Sequence, residues 1–265
     1  MSLTKKYGQL ALVAGASEGI GAAFSEYLAK EGFDLVLVAR RMEPLESLAS
    51  SLKAKYNISV ETACCDLSDL NAAEEIIERV SHREIDLLAY NAALSYIGKF
   101  EENSIDHHYR IATTNMVTPM KMVQLLGEPM LQRGRGAIIL MASLAGFQGS
   151  GFLAGYAASK AFTRVLAESL WYEWKERGVD VIACCAGATS TKNYLDTNPG
   201  KTGFLAPSVI RPDKVVIECM KRLGRNPSYI TGRGNRIASF IMQRVFPRKT
   251  AIKIMGDTTR KMYRI

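Results

Sequence analysis

The chain has 265 residues, 48% of them hydrophobic and 23% charged, enough for one large α/β domain with a full core. No run of about 18 apolar residues occurs, so no bilayer-spanning helix is expected, and the five cysteines lack the Cys-x-x-Cys spacing of a metal site. The net charge of +8 is local: nine Lys/Arg face one acid, Asp257, between Arg233 and Ile265, so residues 1–232 sum to zero.

Cys64–Cys65 and Cys184–Cys185 are adjacent pairs and Cys219 stands alone, which predicts reduced, mostly buried thiols and a cytoplasmic protein. The opening stretch MSLTKKYGQLALVAG runs straight into a strand pattern, leaving no room for a signal sequence. Apolar runs then predict strands at Leu10–Ala14, Leu35–Ala39, Ser59–Cys64, Ile85–Tyr90, Ala137–Met141, Asp180–Cys185 and Tyr229–Thr231. They are nearly continuous rather than alternating, as in a parallel sheet buried on both faces. Helical patterns fall between them, for example at Ala22–Lys30, Glu74–Val80 and Tyr156–Arg177, the last stopped by Gly178. The alternation predicts one doubly wound α/β domain over residues 1–232, followed by a basic amphipathic extension over 233–265. Thr189–Pro212, rich in Gly, Pro, Asn and Thr, reads as a long loop or lid.

The first predicted strand ends in AGASEGIGAAF, which places Gly15, Gly19 and Gly21, with Ser17, Glu18 and Ile20, at a strand-to-helix turn. Small residues let the backbone approach a pyrophosphate, and the helix start offers free N–H groups and a positive dipole end. At the end of the second strand an NAD site carries an acid for the ribose 2′-hydroxyl. Here the chain reads Val38-Ala39-Arg40-Arg41, with no acid from Leu35 to Met42, and Asp34 lies at the wrong end. A guanidinium pairs with a 2′-phosphate, so NADP(H) is favoured over NAD(H). Arg41 also fits a solvated cation at a helix start.

Tyr156 and Lys160 stand at i and i+4 in GYAASKAF and so share a helix face, with Ser143 upstream. A nearby ammonium favours the phenolate, and a phenol tuned that way can give or take a proton at a carbonyl or alcohol oxygen. The serine hydroxyl can hold the same oxygen from a second side. Taken alone, the Tyr-x-x-x-Lys spacing also fits a chance surface pair.

In combination these features resemble the short-chain dehydrogenase/reductase family over roughly residues 8–232, which implies a Rossmann fold and hydride transfer between nicotinamide and a carbonyl or secondary alcohol. The resemblance implies that Gly15, Gly19 and Gly21 form the cofactor turn and that Asp66, with Leu67 beside it, meets the adenine amine. Asn91-Ala92-Ala93 is similar to the family's Asn-Ala-Gly, which supports the sheet and borders the adenine ribose. It likewise implies that Asn115 kinks a central helix and holds a proton-relay water. Tyr156 is then the acid or base, and Ser143 orients the substrate oxygen. Lys160 lowers the Tyr pKa and holds the nicotinamide ribose. Gly187, Ala188, Thr189 and Thr191 resemble the stretch that meets the carboxamide and pyrophosphate. Ala14, Ala93 and Ala186 depart from the usual Thr, Gly and Pro, and Glu18 sits where some NADP-using members carry a cation. Taken singly, Asp66 also fits a turn, Asn115 a polar core position, and Ser143 a strand-end hydroxyl.

Phe147, Phe152 and Leu153 near the tyrosine, with Tyr194, Leu195, Phe204 and Leu205 in the loop, suggest an apolar carbonyl substrate. His107 and His108 are expected at the surface, and no metal is expected. Apolar residues on more than one face of helix 156–177 predict a homodimer or homotetramer, and the family commonly associates there. For residues 233–265, a helix docked on the domain or on a partner subunit near the substrate pocket is favoured over an anionic membrane surface, and no motif supports nucleic-acid binding. The rival to an active reductase is a nucleotide-binding sensor or scaffold of the same fold.

Overall fold

The computed structural model describes residues 2–200 and 208–265. Seven parallel strands form one sheet: β1 Leu10–Ala14, β2 Asp34–Ala39, β3 Val60–Cys64, β4 Leu87–Tyr90, β5 Gly136–Ser143, β6 Val179–Ala186 and β7 Ser228–Ile230. Their order across the sheet is β3-β2-β1-β4-β5-β6-β7. The helices are α1 Leu3–Tyr7, α2 Gly19–Lys30, α3 Met42–Tyr56, α4 Ala72–Arg79, α5 Ile105–Ala112, α6 Thr118–Arg133, α7 Ala154–Trp174, α8 Lys192–Asp196, α9 Pro212–Met220, α10 Arg233–Phe240 and α11 Arg248–Tyr263.

The continuous apolar runs are explained by two cores, because successive strand residues point to opposite faces. Ala11, Val13, Leu35 and Leu37 meet Phe24, Leu28, Leu45 and Val215 on one face. Leu12, Val36, Val38 and Ile138 meet Ile76, Met122, Leu126 and Ala167 on the other. β1 lies between β2 and β4, so the chain runs outward to β3 and then crosses back. That reversal opens a crevice at the carboxyl ends of β1 and β4, where such sheets hold ligands.

Every predicted strand is present, with small shifts at the ends. β4 begins after Asp86, whose carboxylate instead accepts from the Gln9 and Leu10 N–H groups at 2.7 and 3.1 Å. The expected loop at 189–212 is partly ordered: Thr189 bridges to Ile210, and the Thr191 hydroxyl caps α8 by accepting from Tyr194 N at 3.2 Å. Phe204 and Leu205 lie outside the described residues. α10 continues as a π-helical turn over Ile241–Val245, and Pro247 ends it. The second tail helix, α11, was not expected from the sequence.

Candidate active site

At the carboxyl end of β1 the chain turns on glycines held by close backbone packing. Gly15 and Gly19 have φ of 78° and 58°. A Cβ on Gly21 would fall 1.8 Å from the Gly15 carbonyl oxygen, and one on Gly15 would fall 2.7 Å from Ala92 N. Asn91 Nδ2 donates to Gly15 O at 3.0 Å, tying the end of β4 to the turn. A Cβ on Gly19 would meet Thr191 at 2.7 Å, so the stretch after β6 closes the far side. The N-terminus of α2 carries no side-chain cap. The result is a tight cradle, open to an anion at a helix start, which fits a dinucleotide pyrophosphate.

Arg40 follows β2 directly, and its main-chain oxygen accepts from Cys64 Sγ at 3.4 Å. Arg41 is not merely a solvated cation, since its Nη2 lies 2.6 Å from Glu18 Oε1 across the glycine turn. Asp66 forms an Asx turn, accepting from Ser68 N at 3.0 Å and Ser68 Oγ at 2.9 Å. Arg110 reaches its other oxygen at 3.2 Å. Burial pushes the Asp66 carboxyl up, but the Ser68 bonds and the charges of Arg40 and Arg110 outweigh it and hold the group below the usual carboxylate range.

Ser143 ends β5, and α7 brings Tyr156 and Lys160 opposite it, so the three predicted residues meet. The Ser143 hydroxyl, which accepts from Ala145 N at 3.2 Å, stands near enough to Tyr156 to favour the phenolate, and Lys160 Nζ lies 5.7 Å from the Tyr156 ring centre. Gly146 permits this approach: a Cβ there would lie 2.6 Å from Ala161 N and from the Lys160 carbonyl carbon. Burial raises the Tyr156 phenol above its ordinary value; the nearby Ser143 hydroxyl works against this, and Tyr263 adds to it. Lys160 is 4% exposed and donates to Met141 O at 2.6 Å, and burial pushes its ammonium down to about 8. In this arrangement burial outweighs any lowering of the phenol pKa by Lys160, whose ammonium is turned onto the Met141 carbonyl.

Asn115 sits inside the π-helical turn Thr113–Val117 that joins α5 to α6. Its side chain is fully occupied: Oδ1 accepts from Leu94 N at 2.8 Å, and Nδ2 donates to Leu94 O and Ser159 Oγ at 2.8 and 2.9 Å. It thus clamps the segment after β4 to α7, and its main-chain oxygen accepts from Thr163 Oγ1 at 3.3 Å. Thr189 donates to Gly187 O at 3.1 Å and Ala188 O accepts from Ile210 N at 3.0 Å, fixing the backbone after β6. His107 and His108 are half-buried rather than at the surface, because His108 stacks on Phe100 at 4.3 Å and His107 lies edge-on to Tyr96.

The tail docks on the domain beside the site, and it brings contacts that no residue pattern pointed to. A Cβ on Gly151 would come within 3.1 Å of Gly256 Cα, so α11 lies backbone-to-backbone on the loop between Ser143 and Tyr156. Arg260 covers the Phe152 ring at 5.3 Å, and Phe152 itself holds a left-handed φ of 64°. Met262 O accepts from Gly200 N at 2.8 Å, joining α11 to the stretch after α8. Tyr263 then stands close enough to Tyr156 and Tyr194 to add to the upward shift of both phenols. Asn235 of α10 packs beneath Gly187, where a Cβ would meet its amide at 2.4 Å.

A family model described as short chain dehydrogenase matches residues 9–201. The chain belongs to the short-chain dehydrogenase family. Family membership makes it an oxidoreductase acting on CH–OH or C=O groups with a nicotinamide cofactor. A 7β-hydroxysteroid dehydrogenase of Clostridium sardiniense is 33% identical over 236 residues, covering 89% of this chain and 90% of that one. A solved structure from work on 7β-hydroxysteroid dehydrogenase stereoselectivity superposes with a TM-score of 0.90 at 29% identity, over 96% of this chain and 99% of that one. A short-chain dehydrogenase from Sphingobium yanoikuyae in complex with NADPH superposes at 0.75 with 28% identity, over 84% and 87% of the two chains. No helix among the described residues is long and apolar enough to cross a membrane.

Proposed function

We propose that this protein is an NADP(H)-dependent reductase of a carbonyl on a bulky apolar compound, with oxosteroids as the first class to test. The observation that carries the reading is the meeting of Ser143, Tyr156 and Lys160 beside the glycine cradle. The substrate class rests on the named activity of the 33% identical relatives, with Tyr263 beside Tyr156 and Tyr194 offering aromatic surface at the site.

The glycine turn Gly15–Gly21, including Ser17, Glu18 and Ile20, would hold the pyrophosphate. Asp66-Leu67 would hold the adenine, and Asn91-Ala92-Ala93 would border its ribose. Gly187–Thr191 would hold the carboxamide end. Arg40 makes no ion pair among the described residues, so it is the cation available to a 2′-phosphate, whereas Arg41 is shared with Glu18. The bound cofactor supplies the hydride. Tyr156, kept protonated by burial, is placed to give its proton to the carbonyl oxygen. Ser143 would hold that oxygen from the side, and the Lys160 charge would stabilise the phenolate left behind. Asn115 would hold together the segment after β4 and α7. Residues 1–232 would carry this chemistry and residues 233–265 would close over it.

A homodimer or homotetramer through α7 fits its outward face, where Val165 and Tyr172 are 50% and 81% exposed. A monomeric mass by light scattering would overturn that assembly.

The test is NADPH oxidation against oxosteroids, simple ketones and 3-oxoacyl thioesters. Tyr156→Phe should cut kcat at least about a hundredfold, the scale of one positioned acid, while NADPH binding by fluorescence is kept. Undiminished turnover in that variant would end the proposal.

A further inference from the structure

Each tail helix turns a small or polar face inward, with Asn235, Ser239 and Met242 buried in one and Ala251, Thr259 and Met262 in the other. The outward face of α10 and its π-helical continuation is different. Ile237, Phe240 and Val245 are 54%, 64% and 61% exposed, and they lie on one helix face with Arg233 and Arg244. On α11, Lys249 and Lys253 are exposed on one face, whereas Arg248 and Ile252 lie on the stripe that meets the loop, Arg248 donating to Phe147 O at 3.3 Å and Ile252 packing near Gly149. Among the described residues the one ion pair made by a tail cation is Arg236 with Glu218 at 3.0 Å. Arg248 and Arg260 are engaged with Phe147 O and the Phe152 ring, whereas Arg233, Arg244, Lys249 and Lys253 make no ion pair or side-chain hydrogen bond among the described residues, and Asp257 is the one acid in the segment.

We propose that these outward faces dock on an anionic lipid surface. Charge selects that occupant. The +8 of the protein resides wholly in this segment, while the rest of the chain is neutral, so attraction to an anionic surface is confined to the tail and orients the molecule on it. Large aliphatic and aromatic side chains among the cations suit insertion at the headgroup boundary. A second copy docked face to face would set cation against cation, and a nucleic acid would leave Ile237, Phe240 and Val245 in water. Because α11 lies on the loop between Ser143 and Tyr156 with its inner side, its outer side is one helix diameter away, about 10 Å. Docking there holds the reaction site next to the lipid.

Flotation of the full-length protein with phosphatidylglycerol-containing vesicles, against phosphatidylcholine alone, tests this. Binding is expected only to the anionic vesicles at about 0.1 M salt, and its loss is expected near 1 M, where the screening length falls to about 3 Å. Lys249→Gln with Lys253→Gln should weaken partitioning about fivefold per lysine removed. Replacing Ile237, Phe240 and Val245 together by Ser should abolish what the cations alone do not supply. Both variants alter exposed positions outside the reaction site, so turnover of a water-soluble ketone should stay at the wild-type level and report an intact fold. Absence of wild-type flotation, or flotation equal in the variants, would overturn the proposal. So would a drop in assembly mass in the Ser variant without any lipid binding by the wild type, which would make the face a subunit interface.

Discussion

Lys160→Met isolates the energetic cost of the site, because it removes a buried charge while keeping an unbranched side chain of similar length. Burial holds the ammonium at about 8 against an ordinary 10.5. At about 1.36 kcal/mol per pH unit, carrying that charge into the fold costs about 3 kcal/mol near neutral pH. The charged hydrogen bond to Met141 O, 2.6 Å long, returns about 2 kcal/mol. The variant should therefore be more stable by about 1 kcal/mol near pH 7, or about 3 °C for a chain of this size. The sign changes with pH. A lysine whose folded pKa lies below its unfolded value destabilises fully below the folded pKa, and that cost is relieved as pH rises from about 8 to 10.5. Near pH 10 only the lost hydrogen bond remains, so the variant should be the less stable protein by about 1–2 kcal/mol. Urea unfolding followed by the fluorescence of Trp171 and Trp174 at a series of pH values measures the difference. A gap that stays constant with pH would refute the reasoning, because it would mean that the buried ammonium is not the source of the cost.

Arg40→Asp should reverse the ratio of kcat/KM for NADPH over NADH, since an acid there repels a 2′-phosphate and accepts from a 2′-hydroxyl; an unchanged ratio would remove Arg40 from cofactor selection. Gly146→Ala touches no reacting group, yet its Cβ would sit 2.6 Å from Ala161 N and push α7 away from Ser143. It should lower kcat about tenfold or more and cost about 1–3 kcal/mol in urea unfolding, and normal kcat with lowered stability would show that the spacing of the three groups tolerates that shift.

The sheet was legible because burial on both faces demands unbroken apolar runs, and Leu35–Ala39 or Ala137–Met141 have no other economical reading. The glycine turn and the Ser143–Tyr156–Lys160 set were legible because their spacing is dictated by one strand end and one helix face. Side-chain direction was not. Nothing in GYAASKAF says that Lys160 turns onto Met141 O, and nothing near Asn115 says that its amide is used up on Leu94 and Ser159. α11 escaped for a related reason. Its inner stripe is Ala251, Thr259 and Met262 beside Gly256, too small and polar to stand out as a hydrophobic face, because it packs on a glycine in the loop rather than on a sheet. The arrival of Tyr263 beside Tyr156 follows from that packing and from no local pattern.

The two buried groups of the site also set the direction in which it works. Burial keeps the Tyr156 phenol above its ordinary value, so at neutral pH it holds a proton and is ready to act as an acid. Carbonyl reduction needs that form; alcohol oxidation needs the phenolate, which is scarce until strongly alkaline pH. Lys160, at about 8, loses its charge before Tyr156 loses its proton. The cation that would stabilise the phenolate therefore fades first, and kcat/KM for reduction, which reports the free enzyme, should be level below about pH 8 and fall above it. Oxidation should be slow at neutral pH and rise with alkalinity. Lys160→Arg supplies the discriminating comparison: a guanidinium stays charged through this range, so the descending limb for reduction should move to higher pH even if the absolute rate drops. A limb that stays near pH 8 in that variant would assign it to another group and detach Lys160 from the proton chemistry of Tyr156.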